Sequence, residues 1–340
     1  MTTSPLRIGI AGVGRMGRHH AANLAQRALG AELVAACSPI ADELVWARDA
    51  LGVAHLYHDY AQLLAHPGLD AVFLVTPTTL HADQIIAGLA AGKHVFCEKP
   101  LALNLPDCLR VEQEAAKHPR LKVMTGYVRR FDPSYRDAYD KIQAGAIGRP
   151  FLARSQTTDQ HDPSGFFVRY AAASGGILLD MSVHDIDTVR WLLGANGAKR
   201  VFAAGMIAIH EGLRECGDVD NAVAMIEFAD GQIASIYASR TMAHGHETLT
   251  EIVGTAGRLT VGQNPRINRV EISDAHGVRN ECTPTFYERF ADAFLQEAQA
   301  FVDVVREDRP PPLTLADATE ATRIGIAVTE SLRTGRVVEI

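Results

Sequence analysis

The first third of the chain alternates short apolar runs with segments of helical pattern. The apolar runs predict buried strands at residues 6–11, 32–37, 71–76, 94–98 and 121–127, and the segments at 16–27 and 81–91 predict helices. Strands separated by helices are joined by right-handed crossovers, which place them parallel to one another. Residues 1–124 are therefore predicted to form an α/β domain built on a doubly wound parallel sheet.

After about Gly148 the runs become longer, and apolar and polar residues alternate along them. Such alternation is typical of strands with one buried face, here predicted at 151–158, 201–209, 222–228, 232–240, 247–253, 258–261 and 269–272. Asp230-Gly231 separates two of these strands and indicates a tight hairpin. Further helices are predicted at 178–193, 286–306 and 315–332. Residues 125–340 should thus form an α+β domain with a large, mostly antiparallel open sheet.

Composition and charge restrict the class of protein and its partners. At 340 residues two domains are expected, and the 47% hydrophobic and 21% charged residues are ordinary for a globular chain. The formal net charge of −7 gives no basic surface for nucleic acid. No apolar run reaches the roughly 18 residues that span a bilayer, and residues 1–6 contain no apolar core of the kind expected in a signal peptide. One face of the open C-terminal sheet is expected to be uncovered, which favours a homo-oligomer, a dimer or tetramer.

The five cysteines also bear on where the protein works. They are odd in number, widely spaced and contain no C-x-x-C pair: Cys37, Cys97, Cys108, Cys216 and Cys282. This usage favours a reduced, cytoplasmic protein over a disulfide or zinc scaffold.

A glycine motif, Gly12-x-Gly14-x-x-Gly17, directly follows the first strand and opens the first helix. The first glycine permits the tight turn, the second lets the backbone approach a pyrophosphate, and the third allows close helix–strand packing. The helix N-terminus then faces the phosphates. The motif predicts a dinucleotide-binding (Rossmann) domain in which Arg15 and Met16, between the glycines, also contact the cofactor.

The residue that reads the adenosine ribose is expected about 20 residues beyond these glycines. That position holds Ser38, without an acidic residue for the ribose diol and without a cation for a 2′-phosphate. The missing cation favours NAD, NADP is not excluded, and Ser38 can also simply begin a turn.

Two further strand ends carry polar residues at the edge where open α/β sheets bind ligands. Cofactor contacts are predicted for Thr76, Pro77 and Thr78 after one strand, and for His81 at the start of the next helix, where capping is an equal alternative. Glu98-Lys99-Pro100 ends another strand. Lys99 can stabilise negative charge on a substrate oxygen, and Glu98 can bind the nicotinamide ribose. By local chemistry alone, a solvated lysine is the competing interpretation.

Asp180-x-x-x-His184 is the second informative pair. On the predicted helix these residues share one face, so the imidazole can accept a hydroxyl proton while the carboxylate orients it. Asp187 extends the acidic face. Two alternatives remain: an acid-rich helix N-terminus without function, and a metal site using Asp180, His184 and Asp187. No ligand spacing elsewhere supports the metal.

Five other residues are weaker candidates for substrate binding. Arg129 follows the strand that ends near Tyr127, Asp159 and His161 end a strand of the second domain, and Tyr237 and Arg240 lie on the strand after the hairpin. Each is of a type that also forms ordinary ion pairs or surface contacts.

Taken together, these segments resemble the Gfo/Idh/MocA oxidoreductase family over nearly the whole chain. The resemblance rests on IGIAGVGRMGRHH, CEKPLA, GYVRRFDPSY, GGILLDMSVHDIDTVRWLLG and the C-terminal TLADATEATRIGIAVTESLRTGRVVEI. It is strongest to the members that oxidise inositol, and it implies oxidation of a ring hydroxyl of a cyclic polyol, foremost myo-inositol, to the 2-keto compound.

The resemblance also implies roles for individual residues. Lys99, Asp180 and His184 match the catalytic lysine, aspartate and histidine of the family, and Arg129 and Asp159 fall near its substrate contacts. Many NAD-dependent members carry an acidic residue where this chain has Ser38. Members with the same motifs that act on other sugars, and a non-catalytic NAD(P) sensor, are the alternative functions.

Overall fold

The computed structural model describes residues 4–262 and 266–340, which divide into two compact units. The first unit contains the described residues through Tyr127 together with Asp292–Thr319. The second contains Val128–Ala291, apart from 263–265, and Glu320–Ile340. The sequence predicts a single boundary after residue 124, whereas the structure divides the chain after Tyr127 and assigns Asp292–Thr319 to the first unit.

The first unit contains a six-stranded parallel sheet in the order β3-β2-β1-β4-β5-β6. Its strands are β1 Leu6–Ala11, β2 Ala31–Cys37, β3 His55–Tyr57, β4 Ala71–Leu74, β5 His94–Glu98 and β6 Val123–Gly126. The helices between them are α1 Arg15–Gln26, α2 Ala41–Leu51, α3 Tyr60–Leu64, α4 His81–Ala90 and α5 Leu105–Lys117, with a 3-10 turn at Thr78–Leu80. The doubly wound parallel sheet is confirmed.

The order of the strands explains why the candidate residues cluster. The chain runs outward from β1 to β3, then returns to the other side of β1 and continues through β4, β5 and β6. Strand order therefore reverses between β1 and β4, and the carboxyl ends of strands at such a point form the ligand crevice. All four residues of β4 are buried, as expected for a strand covered on both faces.

The second unit contains a seven-stranded sheet in the order β12-β11-β7-β10-β9-β8-β15. Its helices before β8 are α6 Pro133–Gln143, α7 Phe166–Ser174, α8 Ile177–Asp180 and α9 Val183–Leu193, and 3-10 turns lie at Val128–Phe131 and Glu211–Cys216. The strands are β7 Pro150–Gln160, β8 Ala198–Met206, β9 Asn221–Phe228, β10 Ile233–Met242, β11 Glu247–Gly254, β12 Gly257–Val261 and β15 Val338–Glu339, and β13 Glu271–Asp274 pairs with β14 Gly277–Asn280 in a separate hairpin. Only β7 and β10 pair in parallel in the large sheet, so the mostly antiparallel prediction is confirmed.

The C-terminal helices are α10 Phe286–Arg289, α11 Ala291–Arg306 and α12 Leu315–Thr334. Helix α11 explains why residues 292–319 belong to the first unit. Phe301 packs edge-on against Phe73 and Phe96, with ring centroids 5.5 and 5.9 Å away, and those two rings stack at 3.9 Å. Aromatic burial of this kind dominates the energetics of a core, so α11 completes the first unit.

Two predicted helices are interrupted. The 286–306 segment breaks at Phe290, and the 178–193 segment divides into α8 and α9. The carbonyl of Ile177 accepts hydrogen bonds from the N–H groups of both Met181 (3.0 Å) and Ser182 (3.2 Å), which closes α8 after a single turn. Asp180 is consequently the last residue of α8 and His184 lies in the first turn of α9, rather than on one continuous helix.

The two faces of the large sheet differ. Strand β9 alternates strictly between buried residues such as Ala224 and exposed residues such as Val223 and Met225. Helix α9 packs over the buried face of β7. The hairpin at Asp230-Gly231 forms as predicted, with Gly231 at a φ of 81°. Within residues 4–262 and 266–340, every helix is too short or too polar to cross a bilayer.

Candidate active site

The glycine turn after β1 has the geometry that a dinucleotide pyrophosphate requires. Gly12 has a φ of 87°, and a Cβ atom there would lie 2.4 Å from the carbonyl oxygen of Val75. A Cβ atom on Gly17 would lie 2.0 Å from the carbonyl oxygen of Gly12, so both positions require glycine. Gly14 is the N-cap of α1, whose first turn contains no acidic residue. The turn and the helix N-terminus therefore fit a pyrophosphate. Arg15 and Met16 begin the helix.

The end of β2 contains an acidic group that the sequence analysis missed. Ser38 is 1% exposed, and its hydroxyl donates to Oε2 of Glu43 at 2.6 Å while accepting the N–H of Ile40 at 3.1 Å. Oε1 of Glu43 lies 3.2 Å from where a Cβ atom of Gly14 would be. Glu43 lies five residues beyond Ser38, in the first turn of α2, and its side chain contacts the strand end from there. An Asp or Glu in the first turn of a helix that directly follows the strand is the signal that would have found it.

The loop after β4 is joined to the loop after β5 by His81. The ring atoms Nδ1 and Nε2 lie 2.8 Å from the carbonyl oxygen of Pro100 and 3.0 Å from that of Thr76. Burial lowers the pKa of His81, against the two carbonyl contacts, which favour the protonated ring. Because both nitrogens already contact protein carbonyls, a cofactor contact for His81 stays a prediction. Pro77 and Thr78 begin the 3-10 turn beside it.

Glu98 ends β5, Lys99 directly follows it, and the Lys99–Pro100 bond is cis. Glu98 is 8% exposed, and both of its carboxylate oxygens are engaged. Oε1 contacts Nε2 of His20 at 2.7 Å, and Oε2 accepts the backbone N–H of Lys99 at 3.1 Å. The predicted contact between Glu98 and a ribose therefore has no support from its placement, and Glu98 instead holds the backbone of the half-buried Lys99.

A second buried carboxyl, Glu297 of α11, lies beside Glu98 and His20. One side-chain nitrogen or oxygen atom from each of these three residues lies within 4.8 Å of the other two. Among the described residues, neither carboxyl oxygen of Glu297 has a hydrogen-bond partner. Burial, and then the charge of Glu98, raises the pKa of Glu297 well above its usual range. Burial raises the pKa of Glu98, but the hydrogen bond and charge of His20, together with the charge and backbone N–H of Lys99, lower the pKa of Glu98 below its usual range. Sequence reasoning missed this cluster because its members come from three distant segments.

In the second unit, Asp180 is held by Arg240, which is 1% exposed. Nη2 of Arg240 donates to Oδ2 of Asp180 at 2.9 Å, and Nη1 lies 3.6 Å from Oδ2 of Asp218. Asp218 in turn accepts the N–H of Ile177 at 3.0 Å and so fixes the start of α8. The guanidinium also lies 4.9 Å from the ring centroid of Phe167. Arg240 thus fixes the position of the Asp180 carboxylate, which lies at the end of α8, just before the helix break that precedes His184.

Two acidic residues that follow His184 form buried ion pairs. Nη1 of Arg129 donates to Oδ1 of Asp185 at 2.7 Å, and its Nη2 bonds to the hydroxyl of Thr157. Arg130 makes two hydrogen bonds to Asp187, of 2.8 and 2.6 Å. The carboxylate of Asp187 is therefore paired with Arg130. The prediction that Asp187 extends an acidic face or belongs to a metal site is corrected accordingly. A substrate contact for Arg129 stays a prediction, since this guanidinium already binds within the second unit.

The remaining candidates are spread over the second unit. Oδ1 of Asp159 lies 2.8 Å from Nδ1 of His246, and the ring of His161 lies 5.0 Å from that of His210. Tyr237 pairs with Val223 and donates to Oδ1 of Asn221 at 3.2 Å. Because side chains alternate along a strand, Tyr237 projects from the face opposite the one covered by α9.

The opposite face, under α9, carries Ser155 and Thr157, the partners of Asp185, and the role of Tyr237 as a substrate contact stays a prediction. For Asp159 and His161 the role in substrate binding stays a prediction.

Known proteins resemble this chain along its whole length. Residues 6–127 match the NAD-binding Rossmann fold of the Gfo/Idh/MocA oxidoreductase family, and residues 140–340 match the C-terminal alpha/beta domain of that family. The scyllo-inositol 2-dehydrogenase (NAD(+)) of Bacillus subtilis is 38% identical, with 98% of this chain and 96% of that protein covered. The myo-inositol 2-dehydrogenase of Thermotoga maritima is 35% identical, with 98% of each covered. The scyllo-inositol dehydrogenase of Lactobacillus casei, solved with bound NAD(H) and scyllo-inositol, superposes with a TM-score of 0.95 at 38% identity and 99% coverage of each chain.

Proposed function

The chain belongs to the Gfo/Idh/MocA oxidoreductase family, and from that premise we propose that it is an NAD-dependent dehydrogenase that oxidises one ring hydroxyl of an inositol to a ketone. Relatives named as inositol dehydrogenases match nearly its whole length, which supports the substrate class. The glycine turn of the first unit, whose two crowded glycines leave no room for side chains, supports the cofactor.

One observation carries the proposal. Between Ile177 and Val189 every residue is buried except Asp180 and His184, which keep partial exposure. A buried segment that presents only a carboxylate and an imidazole is suited to proton transfer, because an imidazole can accept a hydroxyl proton while a carboxylate orients the ring and offsets its charge.

In the proposed reaction His184 accepts the proton of the substrate hydroxyl. Asp180 orients the imidazole and offsets its positive charge, and Arg240 keeps this carboxylate in one position through the 2.9 Å hydrogen bond. Loss of Arg240 would remove this constraint on the carboxylate, and the geometry of proton transfer would be less well defined.

Lys99 matches the catalytic lysine of the family, whose ammonium would stabilise the negative charge that develops on a substrate oxygen as the proton leaves. Its backbone is fixed by Glu98, whose carboxylate accepts the Lys99 N–H. NAD⁺, when bound, supplies the acceptor for the hydride that leaves the carbinol carbon. The alcohol thereby loses a hydride and a proton and becomes a ketone.

The ring configuration of the substrate is a finer question. The relatives that support the proposal are named for scyllo-inositol at 38% identity and for myo-inositol at 35% identity. The two inositols differ in the orientation of a single hydroxyl, so the proposal covers both, with myo-inositol as the expectation from the sequence.

The test is absorbance of reduced nicotinamide, with NAD⁺ and NADP⁺ offered separately against myo-inositol, scyllo-inositol and glucose. We expect reduction of NAD⁺ with at least one inositol and little with glucose. Turnover with glucose alone would be consistent with a sugar dehydrogenase and would refute the proposal that the substrate is an inositol. Silence with every substrate, together with tight NADH binding, would favour the non-catalytic sensor.

We also propose that a second copy of the chain covers the open face of the C-terminal sheet. This face carries exposed apolar side chains on three neighbouring strands: Phe202, Val223, Met225, Ile233 and the half-buried Tyr237. Their pairing along β8, β9 and β10 puts them on one side of the sheet. A contiguous apolar patch of this kind is typical of an interaction surface, and identical copies most often associate symmetrically.

A further inference from the structure

The ribose end of the cofactor site contains a carboxylate that nothing in the strand–turn–helix motif assigns. We propose that Glu43, held by Ser38, selects NAD over NADP by binding the hydroxyls of the adenosine ribose. The inference rests on the proposed function only in taking a nicotinamide dinucleotide as the cofactor, and it names the residue that chooses between the two forms.

The first step is position. β2 ends at Cys37, and Ser38 directly follows it at the sheet edge beside the glycine turn. The N–H of Gly12 donates to the carbonyl of Cys37 at 2.9 Å, so this strand end and the glycine turn are directly bonded. In dinucleotide-binding folds an acidic side chain at this place contacts the ribose hydroxyls. Here the side chain at the strand end is a serine, and the acid comes from five residues later.

The second step is orientation of the carboxylate. The Ser38 hydroxyl donates to Oε2 of Glu43 at 2.6 Å, which is a short, charge-assisted hydrogen bond. Ser38 is itself fixed, because it is buried, its N–H donates to the carbonyl of Tyr57 and its Oγ accepts the N–H of Ile40. Since Oε2 is engaged, the other oxygen, Oε1, is the one directed beside Gly14.

The third step is charge. Glu43 lies in the first turn of α2 and next to the N-cap of α1, and helix N-termini favour a negative charge. A carboxylate accepts hydrogen bonds from both ribose hydroxyls of NAD. The same carboxylate repels the 2′-phosphate of NADP, which is doubly charged near neutral pH. Ser38 is thus a support for the acidic residue, and not its replacement.

The experiment measures binding of NADH and NADPH by nicotinamide fluorescence, with no inositol present. For Glu43→Gln we expect NADH affinity to fall about tenfold or more, because hydrogen bonds to a charged acceptor are lost, while NADPH affinity stays the same or rises. For Ser38→Ala the NADH loss should be roughly threefold. Asp42→Asn is the matched control, since Asp42 is the exposed acid adjacent in the same turn, and it should change neither affinity.

The outcomes separate this inference from the proposed function. Equal loss of both nucleotides in Glu43→Gln would mean that Glu43 supports the glycine turn, and would overturn the inference. Unchanged affinities would also overturn it, and circular dichroism checks that the variant is folded. Failure of the unmodified protein to bind NADH at all would instead contradict the proposed function.

Discussion

Asp185 is predicted to contribute strongly to the stability of the second unit. It is fully buried, and its carboxylate accepts hydrogen bonds from Arg129 at 2.7 Å, from Ser155 at 2.6 Å and from Thr157 at 2.6 Å. Asp185→Asn keeps the size of the side chain but leaves the guanidinium of Arg129, whose side chain is 3% exposed, without its counter-charge.

The expected cost follows from burial. Removing one partner of a buried ion pair costs about 3–5 kcal/mol. For a unit of this size that corresponds to a fall in Tm on the order of 10 °C. The matched control is Asp140→Asn, because Asp140 also pairs with an arginine, Arg136, but at 3.6 Å and with 66% of its side chain exposed. An exposed pair of this kind contributes about 0.5 kcal/mol or less.

The assay is urea unfolding followed by far-ultraviolet circular dichroism, with Tm as a second measure. Adding Arg129→Met to the Asp185 variant should recover part of the loss, since the unpaired charge is then removed. If Asp185→Asn shifted the midpoint no more than Asp140→Asn, the buried pair would not stabilise this unit and the reasoning would be refuted.

Three further outcomes are expected. Glu297→Gln should become more stable than the unmodified protein as pH rises above the ordinary range of glutamate. Burial raises the pKa of Glu297, so the contribution of this carboxyl to stability is present while it is protonated and is lost as pH rises through the raised pKa. Measuring the Tm of both proteins between acidic and alkaline pH checks this prediction, and a Tm difference that does not change with pH would contradict it. Val223→Glu should shift sedimentation toward a smaller species, whereas Val278→Glu on the separate hairpin should not; equal sedimentation would remove the proposed interface. His184→Ala should abolish turnover and leave NADH affinity near that of the unmodified protein. The control His244→Ala, which changes an exposed ring, should retain turnover. Loss of NADH binding in His184→Ala would assign His184 a structural role.

The fold could largely be predicted from the sequence because its information is local. An apolar run such as β4 signals burial on both faces without reference to the rest of the chain. The glycine turn after β1 depends on backbone geometry within a few residues. The sheet class and the hairpin at Asp230-Gly231 were therefore predicted correctly. The position of α11 was not, because its assignment depends on Phe301 meeting Phe73 and Phe96 from a distant part of the chain.

The site could be predicted only where its residues act through their own segment. Lys99 and His184 are proposed as site residues from motifs, but the partners that hold such residues are set by tertiary contacts. Asp185 pairs with an arginine 56 positions away, and the acid-rich face expected around His184 is in fact a pair of buried salt bridges. The break between α8 and α9 was missed for a related reason, since one carbonyl accepting two N–H groups leaves no periodic signal.

Hydride transfer from an inositol ring carbon to NAD⁺ is the central claim, and isotopic transfer tests it most directly. Inositol that carries deuterium on its ring carbons is incubated with the protein and NAD⁺, and the reduced nucleotide is analysed by mass spectrometry. The account predicts NADH that contains deuterium and carries it on the nicotinamide ring. Reduced nucleotide without deuterium, or no reduction with either inositol, would contradict it.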